Sequence, residues 1–352
     1  MSGRGIPLIT APEYLRMRGC GVDISNSSVK ALTIHNGNVK TASASISEDV
    51  FERGDVVNQK EMVRAIKEAT KGMNTPLVHV ALPEQKTFIV ETVVDATKDI
   101  EAQIQERLPE LVPLPPTDTI FSYSLLKGTP TGETRVSVVA FARRVVNEYV
   151  SLFEQAGLTV LSVELETQAI MRSIMDPEDI GAVLIVDIGK TSTKVAIAAG
   201  GALVYTATLE LGGGPLTTTI MEKMQVDQEQ ADRVKNDEGF SPQLPTDVVD
   251  AMKTTMLAIK DELDMRIRYW EGRVDRGELY APPIREIILC GGNANLRGLP
   301  DFLGALLKIP VSRATVWRNV MDTRYQLPPI HRTRSYELGT VIGLALHPPF
   351  TS

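Results

Sequence analysis

One short signature occurs twice in this chain. VDISNSSVKAL runs from Val22 to Leu32 and VDIGKTSTKVA from Val186 to Ala196, without a gap, and Val, Asp, Ile, Ser and Lys stand at matching places. From Asp23 to Asp187 is 164 residues, close to half of the 352-residue chain and far beyond the period of a solenoid. The pattern predicts two copies of one domain, which agrees with roughly 150 residues per domain.

Each copy reads as a strand, a turn of small polar residues and a second strand (VKALTIHNG; KVAIAAGG) that closes a hairpin. Small turn residues let the backbone approach a phosphate, so that amides and the hydroxyls of Ser27, Ser28, Thr191, Ser192 and Thr193 point at its oxygens. Ser25, Asn26, Gly189 and Lys190 complete the two turns. Asp23 and Asp187, at the strand ends, are candidates to hold magnesium through water, since that ion prefers carboxylate and phosphate oxygens and keeps several waters. Lys30 and Lys194 fall inside the second strands, where side chains alternate faces and either face is open to them.

A third phosphate candidate is LELGGGPLTTTI, Leu209 to Ile220, where Gly212, Gly213 and Gly214 precede a helix. The amides and dipole at such a helix start suit an anion. Between it and residue 282 the apolar residues recur at helical spacing, and Met252, Met256 and Met265 read as core.

Paired phosphate hairpins on two like domains resemble the actin, Hsp70 and sugar-kinase superfamily. That resemblance implies an α/β fold of the actin-like, duplicated ribonuclease H-like kind, binding ATP with magnesium in the cleft between the halves. It also implies an adenosine pocket at the turn in REIILCGGNANLRGLPDFL, assigned to Gly291, Gly292, Asn293 and Ala294, with Asp232 and Lys235 near the ribose. Glu164 is the candidate to orient an attacking water, with Glu166 as its neighbour in SVELETQ. Ser25, where relatives usually carry glycine, points to a binding role and at most slow hydrolysis.

Between the hairpins the pattern changes at about Gln85: strand, helix, a Pro-rich bend (PLPPTD), two strands and the helix RRVVNEYVSLFEQAGL. This inserted α/β unit in the first half is similar to that of FtsA and, more closely, of the PilM family of type IV pilus assembly proteins. The resemblance lies in GVDISNSSVKAL, ERLPELVPLPPTDTIFSYSLL, VVAFARRVVNEYVSLFEQAGLTVLSVELETQAI and the closing YELGTVIGLAL. The expected division is a first domain at 20–84, 156–180 and 336–352, the insert at 85–155, a second domain at 181–215 and 283–335, and a helical capping piece at 216–282. The PilM resemblance implies capture of the cytoplasmic N-terminal segment of a PilN-like membrane protein beside the insert, and self-association into a ring.

A net charge of -7, from 37 Lys and Arg against 44 Asp and Glu, excludes general affinity for nucleic acid or anionic membranes. Two cysteines and four scattered histidines offer neither a disulfide framework nor metal spacing. No apolar run approaches the ~20 residues of a membrane span and the N-terminus lacks an apolar signal region, so the expected location is cytoplasmic, at the membrane only through a partner. An FtsA-type division adaptor would end in an amphipathic helix, whereas this sequence reads LALHPPFTS there. A sugar or acetate kinase would need a substrate base, and no Asp or His is placed for one.

Overall fold

The computed structural model describes residues 19–35, 37–47, 50–52, 55–129, 132–275 and 281–347. The expectations about a signal region and a C-terminal membrane helix rest on terminal residues outside that set.

The chain begins with strands β1 (Cys20–Ile24), β2 (Ser28–His35) and β3 (Asn38–Ser45), the two-residue strands β4 (Phe51–Glu52) and β5 (Asp55–Val56), helix α1 (Gln59–Thr70) and strand β6 (Leu77–Leu82). The insert supplies β7 (Thr87–Val94), α2 (Ile100–Leu111), β8 (Thr119–Leu125), β9 (Thr134–Ala142) and α3 (Arg143–Gln155). Strand β10 (Thr159–Leu165) and helix α4 (Glu166–Ile174) follow, then β11 (Ala182–Ile188), β12 (Thr193–Ala199) and β13 (Ala202–Leu209). Helices α5 (Gly214–Met224), α6 (Gln228–Arg233) and α7 (Thr246–Asp275) come next, with β14 (Ile284–Cys290), α8 (Leu299–Leu307), β15 (Val311–Arg313), α9 (Arg332–Ser335) and α10 (Gly339–Ala345) closing the chain.

The duplication seen in the sequence is a duplication of topology. One five-stranded sheet has the order β3-β2-β1-β6-β10 and the other β13-β12-β11-β14-β15. In each, the first three strands form antiparallel hairpins and the last two add in parallel. The central strands β1 and β11 are apolar almost throughout because strands covered on both faces have no wet side. The register repeats as well: Asp23 pairs with Lys30, and Asp187 with Lys194.

Local sequence explains the covering helices. Asn58 caps α1 through its side chain, and Met62, Ala65, Ile66 and Ala69 fall on one buried stripe. Along α7 the buried residues Met252, Met256, Ile259, Leu263 and Trp270 keep the same spacing. Met265, expected in that stripe, is 58% exposed, because it lies on the outer face.

The insert forms its own antiparallel sheet, β7-β9-β8, with a separate core of Val94, Ile104, Leu108, Val136, Val138 and Ala140 under α2. Helix α3 behaves differently. Although the sequence assigned it to the insert, it buries Val145, Tyr149, Leu152 and Phe153 in the core of the first sheet. The insert also touches the second half: Ser137 Oγ donates to the Leu203 carbonyl over 2.5 Å, and Arg273 of α7 binds the buried Glu91 at 2.8 Å.

Helices α4 and α10 join the halves, and they cross where neither carries a bulky side chain. A Cβ on Gly343 would collide with the backbone carbonyl of Ala169. Gly343→Ala gains about 0.5–1 kcal/mol in helix propensity, but the clash is with backbone and costs about 1–3 kcal/mol. The variant is expected to melt below the wild type in a calorimetric scan.

Candidate functional site

The two hairpin turns are built alike. Ser25 N–H donates to the Ser28 carbonyl and Gly189 N–H to the Ser192 carbonyl, both at 2.9 Å and both at the same place in the repeat. In the first turn the Ser25 hydroxyl adds a bond to the Ser28 carbonyl at 3.0 Å, which fills the space a glycine would leave open. The tips meet across the interface, where the Asn26 amide donates to the Thr191 hydroxyl at 3.4 Å.

Below the tips lies a cavity of about 590 Å³, lined from both halves by Asp23, Ser25, Asn26, Ser27, Ser28, Lys30, Asp187, Gly189, Lys190, Thr191 and Ser192. The glycine turn before α5 closes one wall. Gly213 N–H donates to the Gly189 carbonyl and Gly214 N–H to the Lys190 carbonyl, so this helix start is fixed to the second hairpin. A Cβ on Gly213 would strike the Asn293 side chain, which itself donates to the Gly189 carbonyl at 2.8 Å. Gly291 has φ +81, and a Cβ there would meet the Asp187 carboxylate. Close approach of these backbones is what glycine provides.

On the outer side, Asp232, Lys235 and Thr217 form a closed polar triangle: Lys235 Nζ lies 2.8 Å from the Asp232 carboxylate and 2.9 Å from the Thr217 hydroxyl. All three line the cavity, with Gly292, Asn293 and Gly214 nearby. Sequence reasoning missed Thr217, Asn295, Thr333, Arg334 and Glu337, which line it too. Thr217 and Asn295 follow the glycine turns at 212–214 and 291–292 by three residues, one turn into the following helical segment, and that spacing could have marked them; Thr333, Arg334 and Glu337 belong to a segment with no glycine signature.

Three proposed binding residues do not reach the cavity. The Thr193 hydroxyl turns away to donate to the Leu211 carbonyl at 2.6 Å, because Thr193 is already the first residue of β12. Gly212 packs beneath the Lys190 carbonyl, and Ala294 is buried in the second core. The catalytic assignment of Glu164 also fails. Its carboxylate is buried and gripped by both terminal nitrogens of Arg172, at 2.6 and 2.5 Å, away from the cavity. Glu166, two residues on, opens α4 and does line the cavity, where it bonds Lys194.

The acidic residues fit a hard divalent ion. Asp23 is buried and its Oδ1 has no hydrogen-bond partner. Burial pushes the Asp187 carboxyl up to about 7, with Lys30 opposing and the charges of Asp23, Glu84 and Glu337 adding to the rise. Among the described residues no three His, Cys, Asp or Glu side chains gather tightly enough to hold a metal by themselves. Two carboxylates facing a phosphate pocket suit magnesium, which takes its remaining ligands from phosphate and water.

This shift has a stability consequence. A carboxyl with a raised native pKa binds its proton more tightly folded than unfolded, so the protein loses stability as pH rises from about 4 to about 7. Asp187→Asn removes that loss. Without ligand, the variant is expected to melt roughly 2–4 °C above wild type at pH 8, with the gain absent at pH 4, as read by differential scanning calorimetry.

Comparison with known proteins agrees with this geometry. The family described as Type IV pilus assembly protein PilM matches residues 21–348. Among solved structures, the PilM-PilN type IV pilus biogenesis complex is similar at 21% identity and TM-score 0.72, over 94% of this chain and 98% of that one. The ethanolamine utilization protein EutJ from Carboxydothermus hydrogenoformans is similar at 16% identity and TM-score 0.53, covering 97% and 92%. MreB 5 of Spiroplasma citri bound to AMPPNP follows at 12% and 0.54, covering 93% and 95%. The fold is thus the actin-like one, with the insert in its first half.

Proposed function

The chain belongs to the PilM family of type IV pilus assembly proteins, and from that premise we propose that it is a nucleotide-binding scaffold of the pilus assembly machine, loaded with ATP and magnesium. The observation that carries the nucleotide half of this reading is the cavity lined by both copies of the hairpin, with Asp23 and Asp187 on its two walls. The turn hydroxyls of Ser27, Ser28, Thr191 and Ser192 would hold the phosphates, with the α5 start packed behind the second hairpin, Asp23 and Asp187 the magnesium through water, and Gly291, Gly292 and Asn293 the adenosine. Magnesium, when bound, supplies charge neutralisation for the phosphates.

Turnover is expected to be slow at most. Glu166 is the residue of SVELETQ whose carboxylate lines the cavity, and Lys194 holds it in an ion pair. A general base needs a free lone pair within reach of the water it activates. Glu164 is unavailable for the same task because Arg172 occupies it.

The solved structure most informative for the partner is titled a complex of PilM with PilN, and it covers nearly all of this chain. That likeness supports a PilN-like partner; in the proposed reading the chain takes up the cytoplasmic N-terminal segment of such an inner-membrane protein in the groove between the first sheet's domain and the insert. No helix among the described residues is long and apolar enough to cross a membrane, and attachment through such a partner supplies the membrane connection. A cytoplasmic ring of several copies completes the reading.

Two measurements test it. In isothermal titration, the Asp23→Ala, Asp187→Ala double variant is expected to lose about 100-fold in magnesium-dependent ATP affinity, the equivalent of about 2.7 kcal/mol; unchanged affinity would remove the cleft assignment. A synthetic peptide of the partner's N-terminal segment is expected to bind saturably and to protect the insert and the adjoining first domain, but not α7, from hydrogen exchange. Protection confined to α7 would contradict the partner groove.

A further inference from the structure

Lys30 and Lys194 hold the same register in the two hairpins, opposite Asp23 and Asp187. Each is already engaged by a glutamate. Lys194 bonds Glu166, the first residue of α4, and lies 3.9 Å from Asp187. Lys30 donates to the Glu337 carbonyl at 3.2 Å and stands 3.9 Å from its carboxylate, two residues before α10 begins.

The two pairs are equivalent in topology. Glu166 stands at the start of the helix that follows β10, the last strand of the first sheet. Glu337 stands just before the final helix, downstream of β15, the last strand of the second. These are the helices that cross at Ala169 and Gly343. Lys194 belongs to the second sheet and Glu166 to the first half, so that pair spans the halves; Lys30 reaches from the first sheet to the segment returning from the second. All four side chains line the nucleotide cavity.

We infer that Glu166 and Glu337 are positioning residues that hold both cleft lysines in reserve and tie them to the crossing helices, so that an entering magnesium-bound triphosphate must draw the lysines off. The inference rests on the nucleotide reading above. An ion pair with a recessed partner breaks at a high cost if one charge is left alone. Here neither is. A polyphosphate takes the lysine, while the amides and dipole at the α4 start continue to favour the Glu166 carboxylate. The pairs are unequal: the Glu166 side chain is 4% exposed and that of Glu337 47%, so water screens the second pair more. Binding at the phosphate site thereby loosens the Lys194–Glu166 tie between the halves together with the Lys30 contact to the segment that returns from the second sheet.

The test compares Glu166→Gln and Glu337→Gln with wild type by isothermal titration of ATP with magnesium, and by hydrogen exchange over 166–170 and 337–341. Each variant removes the glutamate charge from its lysine, so Glu166→Gln is expected to bind ATP about tenfold tighter, the scale of one charge-assisted contact, and Glu337→Gln by a smaller factor, since Lys30 keeps its bond to the residue 337 carbonyl. ATP is expected to raise exchange in both segments of the wild type; in each variant, exchange at its own segment starts high and ATP adds nothing. Wild-type ATP binding with unchanged or weaker affinity in both variants overturns the inference while leaving the nucleotide reading intact. Absence of ATP binding to the wild type overturns that reading, and this inference with it. Glu337→Gln alters a half-exposed side chain, so it keeps the test decisive if Glu166→Gln fails to fold.

Discussion

Two carboxylates that a duplicated hairpin delivers to one recessed cavity are costly to ionise together. Asp23 keeps a buried oxygen without a partner, and burial, with the charge of Asp23 adding to it, raises the Asp187 carboxyl to about 7. The cleft lysines offset this in part: Lys30 opposes the rise and Lys194 lies 3.9 Å from Asp187, while Lys194 also bonds Glu166 and Lys30 the Glu337 carbonyl. A hard cation held between the two carboxylates would complete that balance.

The architecture works by repetition. Two sheets of one topology set the hairpins facing each other, and the crossing of α4 and α10 fixes their separation. Glycine stands where backbones must touch: Gly343 against Ala169, Gly213 against Asn293, Gly291 against Asp187. The last two of these contacts lie at the cavity wall, so close packing there also shapes the cavity. The insert adds a second tie through Glu91 and Arg273, which connects it to the second half.

Much of this was legible in the sequence because the repeat is strict where chemistry is strict. The VDI aspartates, the turn residues 25–28 and 189–192 and the glycines at 213–214 and 291–292 all line the cavity. What failed were single-residue facings at element boundaries. Glu164 and Glu166 look alike in SVELETQ, but β10 ends at Leu165, which leaves one carboxylate in the strand beside Arg172 and puts the other at a helix start facing the cleft. Thr193 was lost in the same way, as the first residue of a strand. Thr333, Arg334 and Glu337 arrive through long-range packing, which leaves no local pattern. The insert was legible as a unit, but α3 was not legible as part of the first core, since its amphipathic stripe does not say which sheet it covers.

The most direct measurement is a structure of the protein determined with magnesium and a non-hydrolysable ATP analogue. The phosphates are expected between residues 25–28 and 189–192, with Asp23 and Asp187 holding the metal through water. A nucleotide bound elsewhere, or a cleft that stays empty at saturating ligand, would contradict it.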